Sequence, residues 1–138
     1  MAASPLAWLR DRRGDMVEGA ITFPLMALVA LALVNLALAG YASVTANNAA
    51  NVAARVASVA QADPVGQGLA AADHSLQAGI GTYNVALAAD TRPGGDVTAT
   101  VAWRIPNFFG GLLGFFGAGF SDPEIQGEAV SRFRKEGW

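Results

Sequence analysis

Residues 20–42 are 23 consecutive positions at which only Thr22 and Asn35 carry strongly polar side chains, and they follow directly on Arg12-Arg13-Gly14-Asp15-Met16-Val17-Glu18. About 20 apolar residues in a helix cross the ~30 Å hydrocarbon core of a bilayer, so this run predicts a membrane span. Arg10, Arg12 and Arg13 precede it, and the next Lys or Arg is Arg55. By the positive-inside bias that asymmetry keeps the N-terminus cytoplasmic and sends the rest of the chain out. The expected layout is a cytoplasmic leader over residues 1–19, a transmembrane helix over 20–43 and an extracytoplasmic domain over 44–138.

Composition narrows the function. With 138 residues, 53% of them hydrophobic and 14% charged, the chain has room for one span and one small domain, not for a multidomain soluble enzyme. A formal net charge of −2 leaves no basic surplus for nucleic acid, and the clustered arginines are already explained by topology. There is no cysteine, hence no disulfide staple and no thiolate metal site. His74, the only histidine, lies beside Asp73 without a ligand or catalytic constellation around it. The glycines at 110–119 alternate with phenylalanines and are not followed by Lys-Ser or Lys-Thr, so they make no phosphate loop. The chain reads as a non-enzyme with no cofactor and no metal.

A cleaved export signal is the competing reading of the span. Ala37-Leu38-Ala39 before Gly40 is an A-x-A site, but the apolar stretch ahead of it exceeds the 7–15 residues of a secretory h-region, and helix-favouring sequence continues past it. Arg12-Arg13 also admits a twin-arginine signal, which the following Gly-Asp does not support. A retained anchor is favoured.

Beyond the span, Leu38, Ala42, Thr45, Ala49, Val52, Val56 and Val59 recur at alternating spacings of four and three, predicting one stripe of a helix that runs to about Ala62. Asn47, Asn48, Asn51, Arg55, Ser58 and Gln61 fall off that stripe. Asp63-Pro64 ends it, with Asp63 as cap and Pro64 as first residue of a shorter helix over 65–78, weakened by Gly66 and Gly68. Period-two alternation then predicts strands over 83–89 and 97–105 joined by Arg92-Pro93-Gly94-Gly95, and a third over 125–134. Residues 64–138 alone are marginal for an independent core, so the sheet is expected to dock on the outer half of the long helix through Val85, Leu87, Val97, Val101 and Ile105. The docked stripe is expected to shelter Val52, Val56 and Val59. The fold class is α+β: a long N-terminal transmembrane helix continuing as a stalk, a short second helix, and a three-stranded antiparallel sheet packed on the stalk.

Between the last two strands lies an apolar loop containing Phe108, Phe109, Leu112, Leu113, Phe115, Phe116 and Phe120, five of the seven phenylalanines of the chain and no charge. Loops of this length are ordinarily polar and surface-exposed. This one needs a cover, which is either the chain's own sheet or a contact with lipid or another subunit.

Arg13-Gly14, then Val17-Glu18-Gly19-Ala20 and Pro24, resembles the opening of TadE-like proteins, minor pilins or pseudopilins of the tight-adherence branch of type IV pili, in which a proline stands six positions after the glutamate. The strand hairpin, apolar loop and final strand ending near a basic-acidic pair, here Arg132 to Glu136, extend the likeness along the chain. The resemblance implies a structural part in assembling a tight-adherence pilus. The implied partners are other pilin subunits, the inner-membrane assembly platform with its ATPase, and a prepilin peptidase, with membrane lipid around the helix. It also implies cleavage between Gly14 and Asp15, although that cut leaves Glu18 at mature position four where related systems have position five. Glu18 would then pair with the new α-amine of a neighbouring subunit; on the residues alone it is a carboxylate in the headgroup region. Pro24 removes the hydrogen bond to the carbonyl of Ala20 and so kinks or loosens the helix, a defect membrane helices tolerate. The implied location is the cytoplasmic membrane, with the C-terminal domain outside or in an extracellular pilus. Other readings are a signal-cleaved exported binding domain and an anchored accessory subunit of another membrane complex.

Overall fold

The computed structural model describes residues 6–110 and 122–136, with side chains from residue 16 onward. Five elements follow one another: α1 (Leu6–Val59), α2 (Pro64–Leu76), β1 (Thr82–Ala89), β2 (Asp96–Pro106) and β3 (Glu124–Arg134). The strands form one antiparallel sheet in the order β1-β2-β3. Sheet and α2 both pack on the C-terminal half of α1, giving the expected α+β arrangement.

At 1.5 Å per residue, the 54 residues of α1 make a rod of about 80 Å. The helix starts well before the apolar run and stops three residues short of the expected Ala62. Asp63 explains the stop. It adopts the left-handed region (φ 45°, ψ 61°), a conformation asparagine and aspartate tolerate better than most residues, and its carboxylate accepts the N–H of Gly66 at 3.0 Å. Pro64 follows at the first position of α2, as the Asp-Pro pair predicts.

The face on which the domain docks differs from the expected stripe. Ala42, Ala46, Ala49, Ala50, Ala53, Ala54 and Ala57 are each at most 1% exposed, whereas Val52 is 39% and Val59 46% exposed. Two neighbours, the sheet and α2, share one side of α1, so the buried face is broad and every side chain on it must be small. Val52 and Val59 on the flank are left outside, and Val56 is half-buried. Ser58, expected off the stripe, is buried and donates its hydroxyl to the carbonyl of Arg55. Asn51 is exposed but accepts a 2.6 Å hydrogen bond from Ser131 on β3.

Gly68 has the matching role on α2. A Cβ there would lie 2.9 Å from the carbonyl oxygen of Ala53 and 3.1 Å from the Cβ of Ala57. Gly68 therefore costs helix propensity but permits the close approach of the two helices.

The sheet contributes its larger side chains through the central strand. Val97, Val101 and Ile105 are fully buried, each worth about 1.5–3 kcal/mol against exposure. On β1, Tyr83, Val85, Leu87 and Ala89 are only half-buried, with the intervening residues exposed. Trp103 pairs across from Gly127 and lies over it, within 2.6 Å of where a Cβ would stand. Pro93 and Gly94 (φ 80°) are the central residues of a type II turn closed by Gly95 N–H to the carbonyl of Arg92 at 2.9 Å.

The C-terminal segment locks these parts together. Gly94 N–H donates to the carbonyl of Lys135 (3.0 Å) and Lys135 N–H donates to that of Gly95 (2.7 Å), while Glu136 N–H reaches the carbonyl of Ser58 (3.0 Å). The ammonium of Lys135, 7% exposed, donates to the carbonyl of Ala60 just past the end of α1. A cation at a helix C-terminus satisfies free carbonyls and opposes the negative end of the helix dipole. Lys135→Met should lower stability by about 1.5–3 kcal/mol, the range for hydrogen bonds to charged groups, read as a fall in Tm of the purified protein. Gly68→Val should also destabilise by about 1–3 kcal/mol through overpacking. Gly40→Ala, where nothing lies within 4 Å, should instead gain roughly 1 kcal/mol of helix propensity.

Candidate assembly helix and its turn

Along its N-terminal half α1 meets little of the rest of the chain. Met16, Val17, Ile21, Phe23, Leu25, Met26, Val29, Leu33, Val34 and Leu36 all stay more than half exposed, so an apolar rod projects from the domain. Among the described residues it is the one helix long and apolar enough to cross a membrane. Glu18 sits exposed on it, 17 residues or about 25 Å before Asn35. Pro24 lies inside the continuous helix, also exposed, where its missing N–H frees the carbonyl of Ala20. Gly14 and Asp15 are within the helical backbone of α1.

Asn35 interrupts the rod. It is 3% exposed because a turn after β2 covers it, and its Nδ2 donates to Oδ1 of Asn107 at 2.8 Å. The opposite orientation would aim the Asn35 oxygen at the N–H groups of Phe108 (3.2 Å) and Phe109 (3.1 Å), but would also set two oxygens 2.8 Å apart at Asn107. The donor orientation keeps the bond to Asn107 but turns the amide nitrogen toward those two N–H groups; in either orientation the polar partners of Asn35 come from the 107–109 turn. Asn107 is itself fully engaged: its Nδ2 donates to the carbonyl of Asp122 (3.0 Å), its Oδ1 accepts from Gly110 N–H (2.9 Å), and its backbone N–H donates to Pro123 (2.9 Å). One side chain thus joins the end of β2, the approach to β3 and the membrane-type part of α1. Of the aromatic loop, Phe108 is 53% exposed and Phe109 half-buried; Leu112, Leu113, Phe115, Phe116 and Phe120 lie outside the described residues.

The exposed side of α1 continues past the turn as Tyr41, Val44, Asn48, Val52, Arg55 and Val59, a mixed apolar and polar face directed away from the sheet. Tyr41 is tied back by its hydroxyl to the carbonyl of Ala78 at 2.9 Å. Burial pushes the Tyr83 phenol up, so it stays a neutral donor to the carbonyl of Ile80 at 3.0 Å. Asp73 and His74 are exposed on α2, and among the described residues no three of His, Cys, Asp and Glu come together as metal ligands. Two shallow hollows lie on the outer sheet face, around Asn84, Ala102 and Arg104 and around Gln126 and Glu128.

Comparison with known proteins places the recognisable signal on this same rod. Residues 16–55 match the sequence model of the TadE-like protein family. Over that stretch of α1 the chain is similar to TadE-like proteins. The match bears out the resemblance drawn from Val17-Glu18-Gly19-Ala20 and Pro24; Arg13-Gly14 and the sheet stand outside the matched stretch. It ties the chain to proteins associated with the tight-adherence pilus and, in general terms, to pilus components as partners. The apolar N-terminal helix fits a single-pass membrane anchor. No curated protein and no solved structure matches the chain significantly.

Asn35 stands out in the sequence as a polar residue in an apolar run, but nothing there pairs it with Asn107. Their 72-residue separation hides the contact. A lone amide in a span is costly unless it finds a partner, and that was the available signal. Asn107→Ala should destabilise by about 1–3 kcal/mol because it strands the buried amide of Asn35. The double variant Asn107→Ala/Asn35→Leu should recover part of that loss, measured as a double-mutant cycle on Tm.

Proposed function

We propose that this chain is a minor pilin or pseudopilin, a structural subunit in the assembly of a tight-adherence pilus, working by packing and not by catalysis. The observation that carries the reading is the family match lying on a continuous helix whose N-terminal half is apolar and uncovered. A subunit of this shape offers the rod to neighbours and holds its small domain outside. Glu18, exposed near the start of the rod, is the group that pairs with the α-amine of a neighbour once the leader is removed after Gly14. Such pairing lowers the cost of a carboxylate near hydrocarbon, about 2.5–3.5 kcal/mol at mid-membrane and less at the edge. The partners are other pilin subunits, the inner-membrane platform with its ATPase, and a prepilin peptidase. The N-terminus faces the cytoplasm and the sheet domain lies outside.

The exported-domain reading draws less support. Cleavage before Gly40 would cut through α1 and remove Asn35 from its partner Asn107, although the alanine face from Ala42 onward would survive.

Two measurements test the proposal. N-terminal sequencing of the mature protein should find Asp15; Gly40 would point to secretion and Met1 to an uncleaved anchor. Glu18→Ala should leave membrane insertion intact but reduce co-purification with other pilins or incorporation into a filament. Unchanged assembly would leave Glu18 only its headgroup position.

A further inference from the structure

The position of the Asn35–Asn107 pair along α1 bears on where the bilayer ends. Below Asn35, from Val34 back to Met16, the large exposed side chains are apolar apart from the carboxylate at Glu18. Those 19 residues make about 28 Å of helix, close to the ~30 Å hydrocarbon core. At the level of the pair itself the charged groups begin. Asn107 bonds to Asp122 and Pro123, and the adjacent Glu124 and Arg104 form a 4.0 Å ion pair with both side chains more than half exposed. Placing Asp122, Glu124 and Arg104 in hydrocarbon would cost several kcal/mol, so an outer boundary at residues 42–43, seven or eight residues further along α1, is unfavourable.

We propose that Asn35 marks the outer edge of the hydrocarbon, and that the turn carrying Asn107 and Phe108 is a foothold through which the domain rests on the bilayer surface. Phe108, exposed beside a helix whose outward face is already lipid-type, enters the boundary between headgroups and acyl chains; its occupant is lipid and not a second subunit. The amide pair keeps the one polar group of the upper span hydrogen-bonded at that boundary. The foothold rests on the membrane-anchor reading of α1 and is independent of the pilin reading.

The chain lacks cysteine, so single cysteines can be placed in the full-length protein at Leu33, Tyr41, Phe108 and Val130 and labelled with an environment-sensitive fluorophore. The labelled proteins are reconstituted in phosphatidylethanolamine–phosphatidylglycerol vesicles with or without brominated acyl chains. The expected result is loss of fluorescence at Leu33 and Phe108, with the Phe108 label shallower, and no loss at Tyr41 or Val130. Loss at Tyr41 equal to that at Leu33 would overturn the proposed edge. A Phe108 label untouched by brominated lipid, or quenched only at high protein density, would overturn the lipid foothold and in the second case indicate another copy. An unquenched Leu33 label would overturn the anchor itself.

Discussion

Seven alanines between Ala42 and Ala57 give α1 a broad face without bulk, and the domain is built on the close approach this permits. Alanine loses no side-chain entropy on burial and has high helix propensity, so the face favours the helix as well as the contact. The binding partners are complementary. Gly68 brings α2 against the carbonyl of Ala53, and the sheet supplies volume from Val97, Val101, Ile105 and Trp103. The bulky side of the interface is therefore the sheet and the smooth side is the helix. That division lets α1 pass from an uncovered apolar rod to a docked face without a change of element.

The same economy appears at the two ends of the docked region. Toward the apolar half of α1, Asn107 gathers Asn35, Gly110 and Asp122 through its side chain. At the far end, Lys135 and Glu136 take up carbonyls of Ala60 and Ser58 while the 92–95 turn bonds to Lys135. Between these polar fastenings lies an almost entirely apolar interface, crossed by the Ser131–Asn51 hydrogen bond. No buried side-chain nitrogen or oxygen among the described residues lacks a partner. In a domain without disulfides, such fastenings fix the register that apolar packing of small residues leaves weakly specified.

Much of the fold was legible because its signals are local. The 3.6-residue and two-residue periods, the Asp63-Pro64 boundary and the Pro93-Gly94 turn each announce an element within a short window. The rotational setting of α1 was not. Periodicity weighted the larger side chains at Val52 and Val59, whereas packing against two neighbours selected the smallest ones, Ala46, Ala50, Ala53 and Ala57. Gly68 was read as a weakness because its benefit lies in another element. For the candidate site, Glu18 and Pro24 stood out as exceptions in an apolar run, and the family match includes both. Asn35 stood out too, but its partner comes from a segment 72 positions away, and no local pattern announces that distance.

The fastening by Lys135 also constrains the order in which the chain can be completed. Its ammonium closes on a carbonyl just past α1, 75 residues earlier, and β3, which packs on both α1 and β2, is synthesised after both of them. The part of the alanine face that β3 covers must therefore stay open until the segment through Lys135 has been made. Non-local closure of this kind is entropically slow. A chain truncated before Lys135 would carry a finished anchor with an unfinished domain, leaving its sheet and helix faces open to chaperones and proteases. Closure of the domain surface thus depends on the segment at Lys135 and Glu136 as much as on the helix it closes upon.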